Sequence, residues 1–376
     1  VKITAKIHLR PTPEQAAALL GTLLEANAAC NALAQYAFEH KVFKQYDLHK
    51  AQYYNLKETF RLSSQLIIRC LSKVADSYKL DKENQRTFRA TGGIAYDARI
   101  LSINPAKSIA SIWTVDGRLK IPYTTNAHNQ RLLAFQKGES DLVLVKGKYF
   151  LLLTCDIPDE NTDEFDDVLG VDLGIVSIAT DSDGQTFSGA KVEAARQWYA
   201  KRRGVLQSVG TKSAKRSLKK LSGKQKRFQR DTNHVISKSL VVKAKATSRA
   251  ISMENLKGIS KQVRKEAKRL RQPQRAKHSN WSFDQLKQFV GYKCQLYGVV
   301  LTTIDPRNTS RTCHVCGHCA KANRRSQAEF VCRSCFHSDS ADVNAAKNIK
   351  LLGRQSTGLW SRSFTFQGQA PRFSRG

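Results

Sequence analysis

The stretch "VLGVDLGIVSIATDSDGQTFSG", residues 168–189, carries Asp172 inside a run that is otherwise apolar. Val168 to Leu173 read as a buried strand, Gly174 as a tight turn, and "IVSIAT" as a second strand. Asp181-Ser182-Asp183-Gly184 then makes another turn before a third strand. An ionised carboxylate is costly in such a strand unless a cation meets it, so Asp172 is either a structural hydrogen-bond acceptor or part of a cation site. Two other acids sit similarly. Glu254 closes the strand "ATSRAISMENL", and Asp342 opens the amphipathic "ADVNAAKNIKLL". Asp is a common helix N-cap, which is the ordinary reading of Asp342 taken alone. If a sheet brings the three together, they suit a hard divalent ion, Mg²⁺ or Mn²⁺, which favours carboxylate oxygens and activates water at a phosphodiester.

Working outward, strands and helices alternate. A basic loop from Lys261 to Lys277, the helix "WSFDQLKQFVGYKCQLYG" and the strand "VVLTTIDP" follow, and the alternation predicts an α/β layer. Upstream, "VKITAKIHL" has strand periodicity, and "RPTPEQAAALLGTLLEANAACNALAQYAFEH" starts a helix behind prolines. Short strands recur after residue 85, which predicts a small β-barrel interrupted by a helical bundle. Residues 156–167, "DIPDENTDEFDD", read as a linker, and the polar, basic tail as disordered.

The 376 residues hold 63 Lys and Arg against 31 acids, a formal charge of +32. That excess predicts a polyanionic partner. Nucleic acid is favoured over membrane, because no apolar run reads as a spanning helix and the opening residues lack a signal-peptide core. The expected location is cytoplasmic in a prokaryote, nucleoid-associated when bound to DNA. Residues 196–230 contain thirteen Lys or Arg and no acid. A solvated helix face is the ordinary reading of a charge run, but an unbalanced one repels itself unless it neutralises phosphates. Arg202, Arg203, Lys219, Lys220, Arg227 and Arg230 are the candidate contacts. Gln65, Arg69 and Lys73 recur every four residues on one helix face, suited to base edges in a groove or to ordinary exposure. Tyr53 and Tyr54 are open between packing and nucleic-acid contact.

Cys313, Cys316, Cys332 and Cys335 form two Cys-x-x-Cys pairs separated by fifteen residues. Two such turns present four thiolates tetrahedrally, which predicts a structural Zn²⁺ with no open position for catalysis. Cys319 is read as a free thiol. A zinc ribbon here would brace the helix carrying Asp342, with Lys321, Arg324 and Arg325 facing nucleic acid.

"GVDLGI", "ISMENLKGI" and "ADVNAAKNI", in that order and with the four-cysteine insertion before the third, resemble the split nuclease domain of the transposon-associated TnpB family, related to type V CRISPR effectors. "LRPTPEQAAALLGTLLEANAACNALA", "RFQRDTNHVISKSLVVKA" and "IDPRNTSRTCHVCGH" extend the likeness, while Ser340 departs from the His or Asp of many relatives. The resemblance implies an RNase H-like, RuvC-type fold with Asp172, Glu254 and Asp342 as catalytic, metal-holding acids. It also implies a wedge-like β-barrel over 1–10 and 86–160 and a helical recognition domain over 11–85. The split nuclease would cover 168–310 and 339–353, the zinc ribbon 311–338, and a basic flexible tail 354–376. A monomer carrying a guide RNA would cut double-stranded DNA beside a short flanking motif, leaving a 3′-hydroxyl and a 5′-phosphate. The rivals are a guided DNA-binding repressor, which would not need all three acids, a guide-independent nuclease for branched DNA, and a DNA-joining transposase.

Overall fold

Alternate residues of the first strand, Ala5, Ile7 and Leu9 of β1 (Lys2–Leu9), are buried, as a half-exposed strand requires. Thr12 then accepts the N–H of Gln15 while the Gln15 side chain accepts that of Thr12, and Pro13 is the first helical residue. This capping box starts α1 (Pro13–Glu39), followed by α2 (Gln45–Thr59) and α3 (Ser64–Leu80). The chain returns to strand in β2 (Ile94–Tyr96), β3 (Leu101–Asn104), β4 (Ile109–Thr114) and β5 (Gly117–Thr124). The short α4 (Ala127–Leu132) precedes β6 (Gln136–Val145) and β7 (Lys148–Asp156). The seven strands are antiparallel in the order β2-β6-β7-β1-β5-β4-β3, a nearly closed barrel-like sheet. Leu19, Leu23, Ile67 and Leu71 are fully buried in its core, each contributing roughly 1.5–3 kcal/mol. Contrary to the reading that no segment reaches spanning length, α1 is long and apolar enough to cross a membrane. Its apolar residues, among them Ala26, Ala29, Cys30 and Leu33, are buried in this core.

This computed structural model describes residues 1–160, 162, 164–174, 176–255 and 283–359, and divides into two units, Val1–Pro158 and Asp159–Gly376. The Lys261–Lys277 loop and the tail beyond Leu359 lie outside the described residues.

In the second unit, β8 (Asp167–Asp172), β9 (Ser177–Asp181) and β10 (Thr186–Ser188) form an antiparallel meander. A basic arm follows, α5 (Ala190–Val209), α6 (Lys212–Leu221) and α7 (Lys224–Ala246), broken at Gly210 and Gly223 where φ is +63° and +77°. Then come β11 (Arg249–Glu254), α8 (Phe283–Tyr297) and β12 (Leu301–Ile304). The sheet order is β10-β9-β8-β11-β12, with β11 parallel to both β8 and β12. A small hairpin of β13 (Glu329–Val331) and β14 (Ser338–Ser340) precedes α9 (Ala341–Ser356).

The two-residue strand period decides which face each side chain takes. Leu169, Val171, Ile251 and Met253 join Ile236, Leu240 and Val241 of α7 and Leu286 and Val290 of α8 in one core. Gly170 and Ser252 face the other way, against α9. A Cβ on Gly170 would collide with the Ala346 carbonyl and the Lys350 amide, and one on Gly353 would lie 2.5 Å from the Ser252 Cβ. Glycine is therefore required at both positions by backbone proximity. Lys350 and Arg354 fasten the end of α9 to Asp167 at 2.6 and 3.0 Å. Two residues beyond Gly170 and Ser252, on that same α9 face, stand Asp172 and Glu254.

Candidate active site and its ribbon

Asp172 ends β8 and Glu254 ends β11. Their strands are in parallel register with Met253 beside Val171, so the carboxylates leave adjacent strand ends one step further on. Asp342 lies in the first turn of α9. Asp172 feels both of the other acids: burial, and then the charges of Glu254 and Asp342, push it up to about 7, while Arg324 and the Leu173 amide oppose the rise. Burial also raises Glu254, with a further push from Asp305 and relief from a hydrogen bond donated by Thr309. A buried carboxylate held up by two neighbouring acids is favoured as a cation site. The hard-oxygen donor set fits Mg²⁺ or Mn²⁺.

One helix organises two of the acids. Besides carrying Asp342, α9 buries Asn344 and Asn348, one turn apart. Asn348 donates to the carbonyls of Thr309 (2.8 Å) and Thr312 (2.6 Å), and Asn344 donates to that of Thr312 at 2.8 Å. The Thr309 hydroxyl in turn donates to Glu254 Oε1 at 2.6 Å. Asn348, Thr309 and Glu254 thus form one chain from the helix to the sheet. Arg324 of the ribbon reaches Asp342, Nη2 to Oδ1 3.7 Å, and brings positive charge to the cluster. Sequence reasoning missed Thr309, Asn344 and Asn348. Two Asn residues at i and i+4 on an otherwise apolar helix face were the available signal.

The four ribbon thiols lie within 4.8 Å of one another, with Cys313–Cys335 at 3.6 Å and Cys316–Cys332 at 3.5 Å. Tetrahedral Zn²⁺ with bonds near 2.3 Å places its sulfurs about 3.8 Å apart, so the cluster fits that ion. Both knuckles repeat one pattern. Cys313 N–H donates to the His318 carbonyl (3.0 Å) and Cys332 N–H to that of His337 (2.9 Å). The residues after Cys316 and Cys335, Gly317 and Phe336, both have positive φ, +75° and +59°. At Cys332 burial favours the thiol, but hydrogen bonds from the Cys335 and Ser334 N–H groups and with the Cys316 and Cys335 thiols together bring the group down to about 7. Burial instead pushes Cys313 up to about 12. Phe330, Cys313, Cys332 and Ala341 share a small core, so the ribbon packs directly on the start of α9.

The remaining candidates divide. Arg202, Lys219, Lys220, Arg227 and Arg230 are exposed on the α5–α7 arm, as is Arg203, which donates to Gln225 at 2.9 Å. In the first unit Gln65 donates to Asp97, Arg69 pairs with Glu139, and Lys73 donates to Asn27 Oδ1 and the Gly93 carbonyl, both at 2.9 Å. That row is engaged by its own unit. Tyr53 is half-buried and stacked on His49 at 4.7 Å, with Tyr54 exposed beside it.

Fold and site together define a class, an α/β domain with carboxylates at parallel strand ends and a four-thiol ribbon inserted before the helix that completes the set. Comparison with known proteins finds relatives for each part of the chain. The family described as "Probable transposase" (OrfB_IS605) matches residues 153–262, and "Cas12f1-like, TNB domain" matches residues 283–349. A "CRISPR-associated endodeoxyribonuclease Cas12f1" of Sulfoacidibacillus thermotolerans is 29% identical over 224 residues, 55% of this chain and 50% of that protein. A "TnpB-like protein" of Methanocaldococcus jannaschii is 26% identical over 200 residues, 50% of this chain and 70% of that protein. In a solved Cas12f1–sgRNA–target DNA complex, the matching chain shares the fold with a TM-score of 0.62 at 16% identity, over 89% of this chain and 83% of that one. The resemblance to Cas12f1 is therefore carried by sequence and fold alike, and that to the TnpB-like protein by sequence. The chain spans about half the length of the Cas12f1 relative it matches.

Proposed function

We propose that this protein is an RNA-guided, divalent-metal-dependent DNA endonuclease of the TnpB kind, with an RNase H-like, RuvC-type nuclease domain. The observation that carries the reading is that the charges of Glu254 and Asp342 both act on the buried Asp172 at the end of β8 in a β10-β9-β8-β11-β12 sheet. That strand order, with an antiparallel meander and then parallel strands, supports the RNase H-like assignment. The names of the relatives, an endodeoxyribonuclease and a TnpB-like protein, support the activity.

Asp172, Glu254 and Asp342 would hold Mg²⁺ or Mn²⁺. Such an ion supplies a lowered pKa to bound water and positive charge to a phosphodiester transition state. Thr309 holds Glu254 in a single orientation through its 2.6 Å hydrogen bond. Arg324 extends a guanidinium into the carboxylate cluster, where it is positioned to meet a phosphate oxygen. Zn²⁺ at the four thiols would lock the ribbon against Ala341 and hence the start of α9. The exposed cations of α5–α7 suit the backbone of a guide RNA or its heteroduplex, which requires charge rather than base reading. The barrel and helices of the first unit would hold the guide scaffold and read the flanking motif.

The test is sequencing of RNA that co-purifies when the protein is expressed with its native flanking DNA. One abundant RNA with a constant scaffold and a variable end is expected, and it supplies the target for cleavage. Heterogeneous cellular RNA on folded, zinc-loaded protein would replace this reading with a guide-independent nuclease.

A further inference from the structure

We propose a second transition-metal site on the ribbon, formed by His314, His337 and Asp339 and separate from the four thiols. It would take a borderline divalent ion such as Zn²⁺ or Co²⁺. The inference rests on ribbon geometry and is independent of the nuclease reading. Each of the three residues offers one ligand atom, and these atoms lie within 4.8 Å of one another. His314 comes from the first knuckle, His337 from the second, and Asp339 from β14. His337 and Asp339 are two apart on extended chain and so project to one side.

Three details point to an ion. His337 Nε2 is buried with no hydrogen-bond partner, 3.8 Å from Asp339 Oδ2. An unmade bond of that kind destabilises the fold unless a ligand completes it. His314 Nδ1 lies 3.1 Å from Asn344 Oδ1, an oxygen fixed in place because the same amide donates to the Thr312 carbonyl. An amide oxygen only accepts, so Nδ1 carries the proton and the neutral ring keeps its lone pair on Nε2, the arrangement typical of a metal-binding histidine. The two rings stand 4.7 Å apart between centroids at 83°. Two imidazoles sharing a tetrahedral ion through bonds of about 2.0–2.1 Å have centroids about 5 Å apart. Two nitrogens and one carboxylate select Zn²⁺, Co²⁺ or Ni²⁺ over Mg²⁺ or Ca²⁺.

One group competes. Lys347 Nζ lies 2.7 Å from Asp339 Oδ2, with its side chain one-third exposed. It satisfies the carboxylate without an ion and must swing out to admit one. Asp339 Oδ1 meanwhile accepts the Ser340 N–H at 2.8 Å, which leaves Oδ2 as the ligand. The alternative is that the Lys347–Asp339 pair is the whole purpose of the cluster.

The experiment is a Co²⁺ titration of full-length protein carrying one Zn²⁺ at the thiols, followed by visible absorption and by elemental analysis. One further equivalent is expected, with weak ligand-field bands and no thiolate charge-transfer band. His337→Gln should abolish that equivalent, and Lys347→Met should tighten it by roughly tenfold. Retention of one Zn²⁺ in each variant shows an intact ribbon, and Asp339→Asn serves where His337→Gln loses it. The proposal is overturned if wild type takes up no further cobalt at about 100 µM, or if uptake is unchanged in a ribbon-intact His337→Gln or Asp339→Asn protein.

Discussion

The four thiols occupy 23 consecutive residues, whereas the three carboxylates are spread over 171. The thiol cluster is assembled by two tight turns, each closed by its own Cys N–H, and needs almost nothing from the rest of the chain. The carboxylate cluster exists only after β8 and β11 pair in parallel register and α9 is seated on Gly170. One centre is a property of local spacing and the other a property of topology. They are coupled through α9, whose Ala341 packs into the ribbon core and whose Asn344 and Asn348 grip the chain leading into it.

That coupling is open to direct attack. Cys332→Ser should lose the zinc and with it a stabilisation of several kcal/mol in the ribbon. Because α9 then loses its brace, Mg²⁺-dependent cleavage should fall by at least about a hundredfold although no carboxylate has changed. Zinc analysis and a cleavage time course check it, and full activity in a zinc-free protein would separate the two centres.

A smaller effect sharpens the comparison within the carboxylate centre. Thr309→Val keeps the shape of the side chain and removes the hydrogen bond to Glu254, and cleavage should drop by about 10–100-fold. The bond lowers the Glu254 pKa, so its loss raises that pKa further. The acid limb of the rate profile should move to higher pH, with a larger deficit below neutrality than above it. A pH-independent deficit would mean that Thr309 acts through packing alone.

The same contrast explains which features the sequence alone reveals. The knuckles were legible because both Cys-x-x-Cys pairs are short and their chemistry is local. Asp172 and Glu254 were suspect as lone acids in apolar strands, but only resemblance joined them to Asp342, since spacing carries no information about parallel pairing. Thr309 was invisible because it acts with Asn348 across 39 residues, and Asn348 left only its four-residue spacing from Asn344 as a trace. Gln65, Arg69 and Lys73 do share a helix face. The acids and carbonyls that occupy them, Asp97, Glu139 and Gly93, lie far along the chain and gave no sequence signal.

The central claim is that Asp172, Glu254 and Asp342 form the cutting centre of a guided nuclease. Its most direct test compares Mg²⁺-dependent cleavage of guide-matched DNA by wild type and Asp172→Ala, each purified with its RNA and with zinc and DNA binding measured on the same samples. The account predicts unchanged zinc, RNA and target binding with cleavage abolished in the variant. Retained cutting by Asp172→Ala would contradict it and move the catalytic centre elsewhere in the chain.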